Sequence, residues 1–160
     1  MRFATALAAS LIMSIAVSAQ EKKPENPPPR YNIKADIETY PQGSAKQTLS
    51  SIAEALRRTR VDYILAHLTD PIYVDGTVKK FNGDFEALVR QVDEHLSDPK
   101  GRREFERFLK DGKVEESGTT AKVTLADVPK RQMTLRKSGE RWFLDNENEA
   151  PPKSDVAPPK

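Results

Sequence analysis

Apolar positions recur in this chain with two periods, and the change between them divides it into two halves. From Gly43 onward the spacing is helical. Leu49, Ile52, Ala53 and Leu56 fall on one face of a helix, with Ser44 placed to cap its start and Arg57, Arg58 and Arg60 near its end, where cations complement the helix dipole. A second helical piece runs over 62–68. Asp70-Pro71 is read as its stop, because a residue before proline is pushed out of the α region, and Ile72-Tyr73-Val74 then reads as a short strand. Asn82-Gly83-Asp84 opens a third helix, carried by Phe85, Leu88, Val89, Val92 and Leu96 and ending at Ser97. Asp98-Pro99 caps a fourth, with proline at its first position, Phe105, Phe108 and Leu109 on its apolar face and Gly112 as its stop.

Beyond Gly112 the period drops to two. Val114 can begin a strand. Ala121, Val123 and Leu125 alternate with polar neighbours, as do Met133 and Leu135. Trp142 and Leu144 share a face, with Phe143 opposite. Turns fall at 127–130 and at Ser138-Gly139-Glu140. This is an antiparallel meander. Helices first and a meander last predict an α+β fold in which N-terminal helices pack on a curved antiparallel sheet.

The ends have a different composition. Residues 1–19 read as a signal peptide: Arg2, an uncharged apolar run from Ala4 to Val17, then Val17-Ser18-Ala19 before a cut between Ala19 and Gln20. The run is too short to span a bilayer. Residues 20–42 form a proline-rich arm, expected to be flexible. Within it Tyr31, Ile33, Ile37 and Tyr40 could dock on the domain, and the alternation of Ile33, Ala35 and Ile37 hints at an edge strand. The domain covers 43–146, and 147–160 is a proline-rich tail expected to be disordered. The expected location is periplasmic or extracellular.

Charge and cysteine count narrow the chemistry. Lys and Arg number 26 against 24 Asp and Glu. A balance this even gives no field for steering toward nucleic acid or an anionic membrane. The absence of cysteine removes disulfides, a thiolate nucleophile and a lipidated anchor after the signal. No segment forms a phosphate-cradling glycine loop, so no cofactor is expected. His67 and His95 lie on different helices without a ligand at i+3 or i+4, so no metal is expected either. The basic clusters Arg57-Arg58-x-Arg60, Lys79-Lys80 and Arg102-Arg103 with Arg107 are interleaved with Glu54, Asp62, Glu104 and Glu106. Mixed faces of this kind are usually solvated.

A helix, a short helix ending in Asp-Pro, and closing strands reading Thr120-Ala121-Lys122-Val123-Thr124-Leu125 and Gly139-Glu140-Arg141-Trp142-Phe143-Leu144 are similar to the nuclear-transport-factor-2-like superfamily. The similarity covers roughly residues 44–146. It implies a curved sheet wrapped against helices as a cone with a pocket. In that superfamily some members are enzymes that use an Asp or His base, often with Tyr. The residues that resemblance points to are Asp62, Tyr63, His67 and Tyr73. A base close to neutral pKa and an oxyanion donor are what such chemistry requires. The plainer reading makes Tyr63 and His67 packing residues and Asp62 a first-turn helix charge.

The sequence therefore predicts a non-enzymatic exported domain. It would bind a small apolar ligand or a protein partner on the concave face of its sheet, lined by Leu125, Met133, Leu135, Trp142 and Phe143. The alternatives are a pocket enzyme of isomerase or dehydratase type, and a structural or envelope-associated protein.

Overall fold

Four of the helix starts are set by a side-chain oxygen at the cap position. In a computed structural model that describes residues 25–146, Ser44 accepts from the Gln47 N–H at the head of α1 (Ala45–Arg57). Asp84 does the same for Ala87 in α4 (Phe85–Ser97) and Asp98 for Gly101 in α5 (Pro99–Asp111). Each satisfies a donor that the first helical turn leaves without a partner. The fourth is Asp70, and here the structure corrects the sequence reading. Ile72-Tyr73-Val74 is not a strand but the first turn of α3 (Pro71–Lys80). Asp70 accepts from the N–H of both Ile72 and Tyr73, and Pro71 takes the first helical position. Asp-Pro ends one helix and begins the next.

Between α1 and α3 the chain makes one α-turn, α2 (Val61–Tyr63), and widens into a π-helical turn over Ile64–Leu68. The Thr69 N–H reaches five residues back to the Ile64 carbonyl at 2.9 Å, and the Thr69 hydroxyl bonds the same oxygen at 3.0 Å. Every residue from Ile64 to Leu68 is buried. Ile64 and Leu68 join the main core, while Leu65 and Ala66 join a second one. His67 lines a groove together with Ala66 and Phe143. Apart from His67 the segment is apolar, as its burial requires.

The sheet follows in chain order: β1 (Lys113–Ser117), β2 (Thr120–Thr124), β3 (Gln132–Ser138) and β4 (Arg141–Asp145), all antiparallel. Two of the three hairpin loops, those joining β1 to β2 and β3 to β4, have two residues with glycine first, Gly118-Thr119 and Gly139-Glu140. Each glycine has φ +60, the left-handed value that a Gly-first turn of this length demands. Val114, Val123 and Met133 stand in register on the inner face, as do Ala121, Leu135 and Leu144. With Trp142 and Leu125 they meet α1 and α5 to form the main core. The second core lies among the π turn, α3 and α4. Gly112 sits where α5 meets the sheet. A Cβ there would lie 2.3 Å from Val123 and 2.4 Å from the Phe108 carbonyl, so only glycine allows this approach.

The two sheet edges are managed differently. β1 is exposed and charged, with Lys113, Glu115 and Glu116, which discourages pairing with another chain. β4 is covered. Its Trp142 N–H donates to the Gln42 carbonyl, and its Leu144 carbonyl accepts from the Asp70 N–H.

Residues 30–42 belong to the folded body. They form no edge strand. Arg30 and Ile33 exchange backbone hydrogen bonds around a turn in which Tyr31 and Asn32 are left-handed. The docking expected of this segment is what the structure places there. Tyr31 stacks on Phe85 with ring centroids 4.0 Å apart, and Tyr40 and Gln42 are buried. The signal peptide over 1–19 and the tail over 147–160 lie outside the described residues.

Candidate functional site

Arg141 and Phe143 share the outer face of β4 by simple alternation, opposite Trp142 and Leu144. The Arg141 guanidinium sits 4.9 Å from the Phe143 ring centre, and its Nη1 makes one long contact, 3.5 Å, to Gln42 Oε1. Arg141 is half-buried, and no carboxylate among the described residues pairs with it. Burial lowers its pKa, with the Tyr63 hydroxyl raising it and the Arg30 charge lowering it further. Guanidinium is basic enough to stay charged through such a shift.

Across a groove of about 240 Å3 stand the arm and the helical segments. The walls are Pro27, Pro28 and Arg30 from the arm, Ala66 and His67 from the π turn, Pro71 and Asp75 from α3, and Arg141 and Phe143 from β4. Arg30 is ion-paired with Asp75 and also reaches the Pro71 carbonyl. The Tyr31 hydroxyl bonds the same Asp75 oxygen. One carboxylate thus serves Arg30 and Tyr31, and Arg141 is left over.

His67 ties the arm to the π turn. Its Nε2 is 2.8 Å from the Ile33 carbonyl oxygen. A carbonyl only accepts, so Nε2 carries the proton. Burial lowers the imidazole pKa, the Ile33 carbonyl pulls it up, and the Arg141 and Arg30 charges lower it again, for a net decrease. The unfolded chain therefore takes up this proton at a higher pH than the folded one. The neutral ring's contribution to stability is complete above about pH 6.5 and is lost as pH falls through the lower folded-state value. Thermal denaturation at fixed ionic strength should show the melting temperature dropping from about pH 7 to about pH 5, with a shallower drop in His67→Gln. The ion-paired carboxylates whose pKa is lowered, Glu54 to about 2 and Asp62, Glu115 and Asp127 in the same direction, lose their contribution only below that window. Equal slopes in the two chains would remove His67 from the account.

The four candidates drawn from sequence do not converge on one cavity. Tyr63 is almost fully buried, and its hydroxyl oxygen accepts the Asp36 N–H at 2.9 Å. Its ring lies 5.0 Å from that of His67. The Asp62 carboxylate is held in a fork by Arg60 at 2.8 and 3.0 Å. Burial pushes its pKa up, but the bonds from Arg60 and from backbone N–H groups carry it below the ordinary value. Tyr73 packs half-buried against the second core. Only His67 of the four lines the groove.

Of the five residues expected to line a binding face, Leu125, Met133, Leu135 and Trp142 fill the main core against α1 and α5, and Phe143 alone faces the groove. A second, more open depression of about 550 Å3 lies over α1 between Glu38 and Glu54 and is lined by neither set. Most of the basic clusters are spent locally. Arg57 and Arg58 share Glu54, Arg102 pairs with Glu106 and Arg107 with Asp127. Among the described residues no group of three metal-ligating side chains occurs and no helix is long and apolar enough to cross a membrane.

Sequence reasoning missed Arg30, Asp75 and Arg141. A signal for Arg141 was present, since strand alternation puts it on the face of Phe143, ahead of the apolar run Trp142-Phe143-Leu144. Comparison with protein-family models, curated proteins and solved structures returns no match for this chain.

Proposed function

We propose that this chain is an exported, non-catalytic binding module whose ligand seats in the groove between the arm, the π turn and the outer face of β4. The observation that carries this reading is Arg141, a half-buried guanidinium without a carboxylate partner among the described residues, on the wall of a groove that mixes apolar and charged side chains. A buried charge without a counter-ion costs stability, and such costs collect at binding sites. The inner sheet face, where the sequence suggested binding, is taken up by the protein's own helices. A catalytic role is disfavoured by the engagements of Asp62 and Tyr63, which leave His67 without either partner in the groove. Export rests on the signal-like pattern of residues 1–19, and N-terminal sequencing of the exported chain should begin at Gln20. Kinship with the nuclear-transport-factor-2-like superfamily rests on element order and the Gly139–Leu144 ending. The helix in place of a strand at 72–74 departs from the sequence reading on which that likeness was drawn.

Arg141→Met tests the reading. Removing the unpaired charge should leave stability unchanged or raise it by up to about 1 kcal/mol, as substitutions that relieve functional strain do. In a fragment screen read by amide chemical shifts, ligands should move the signals of residues lining the groove in the native chain and bind more weakly to the variant. Ligand-induced shifts confined to the depression over α1, or a variant that melts well below the native chain, would refute it.

A further inference from the structure

We propose that the groove is a site for a small monocarboxylate, a free acid carrying one short apolar or aromatic group; this rests on the binding-module reading above. The charge balance of the walls points there. Arg30 and Arg141 contribute two positive charges and Asp75 one negative, and Asp75 is already engaged by Arg30 and by Tyr31. One positive charge is uncompensated, and it is carried by the guanidinium with only a long contact to a neutral amide. The nearby Arg30 charge disfavours Arg141 further, so an anion would relieve a repulsion already built into the walls. A cation would add to that repulsion. A dianion would bring a second charge for which the walls hold no free partner, beside the Asp75 carboxylate.

The shape of the donor also selects. Guanidinium presents its N–H groups as a planar fork that matches the two oxygens of a carboxylate. The Phe143 ring lies against Arg141, as a cation against an aromatic face. That contact restrains the side chain and so reduces the ordering cost of binding. Around the fork the walls are apolar: Pro27, Pro28, Ala66, Pro71 and Phe143. A hydrocarbon or aryl group beside the carboxylate would be covered by them. The size fixes the scale. At about 240 Å3 the groove falls below the roughly 300–1,000 Å3 of sites for drug-sized ligands. It suits a ligand of one ring or a few carbons.

Four probes that share one ring test this on the whole exported chain: phenylacetate, phenylacetamide, phenyl phosphate and phenethylamine. Each is titrated while amide shifts of groove residues are followed. Phenylacetate should saturate shifts around His67, Ile72–Asp75 and Arg141–Phe143. Phenylacetamide should bind about ten- to a hundredfold more weakly, the range expected when a charge-assisted pair is lost. Arg141→Met should erase that preference. Arg141→Lys, which keeps the charge without the fork, should keep only part of it. Amide and acid binding equally, or phosphate or amine binding best, would overturn the monocarboxylate assignment and leave the groove as a binding site. No probe moving these signals, together with no fragment doing so, would overturn both. Amide spectra of the two variants that overlay the native one outside the groove show that any loss is not a loss of fold.

Discussion

Trp142→Ala should lower the free energy of unfolding by about 3–5 kcal/mol, the range for emptying a large aromatic from a core. That is a large share of the roughly 5–15 kcal/mol that holds a typical domain together. Trp142 is 4% exposed and lies on the inner face of β4, within the main core. The backbone at this position is fixed independently of the side chain. Its N–H donates to the Gln42 carbonyl, and its carbonyl accepts from Gln42 Nε2 at 2.7 Å and the Thr48 hydroxyl at 3.3 Å. Those bonds hold β4 against α1 and resist collapse into the space left behind, so the cavity term should persist. Trp142→Phe, which refills most of the volume, should recover more than half of the loss. Urea unfolding followed by far-ultraviolet circular dichroism gives both numbers. A loss under about 1 kcal/mol in the alanine variant would mean that Trp142 does not plug the contact between sheet and helices.

The residues that were legible and those that were not differ in how local their determinants are. α1, α4 and α5 carry both a capping oxygen and a helical apolar period, and the meander carries apolar alternation with glycine at its two tight turns. In each case neighbouring residues fix the conformation. Ile72-Tyr73-Val74 was misread because its side chains favour strands and Asp-Pro was taken as a stop. The spacing of Val74, Val78 and Phe81 already described a helical face toward the second core, and Ile72, 75% exposed, lies off it. The π turn carries no local signal of its own, since it follows from packing Ile64–Leu68 between two cores and a groove. The site was the least legible part. Arg141 is placed by strand alternation, but its meeting with Arg30, His67 and Asp75 depends on the arm closing over the π turn. No spacing in the chain encodes that closure.

Asp70 joins the end of the π turn, the head of α3 and the edge of β4, and Asp70→Ala should cost about 2–3 kcal/mol, above most helix caps. The residue is 4% exposed. Its Oδ1 accepts from the Ile72 N–H at 2.8 Å and the Tyr73 N–H at 3.2 Å, so alanine strands two donors at the head of α3. Its own N–H donates to the Leu144 carbonyl at 2.8 Å, and that bond survives the substitution because it is made by backbone. The damage should therefore be directional. Amide exchange at Ile72 and Tyr73 should accelerate, while the edge of β4 stays protected. Asp70→Asn, which keeps a cap oxygen, should lose less than about 1 kcal/mol. Pro71 and Asp75 belong to the same helix and form one wall of the groove. Loosening α3 should then weaken the binding proposed for the groove in Asp70→Ala even though the residue lines no part of it, whereas unchanged exchange at Ile72 and Tyr73 would show that the helix start is held by something other than this carboxylate.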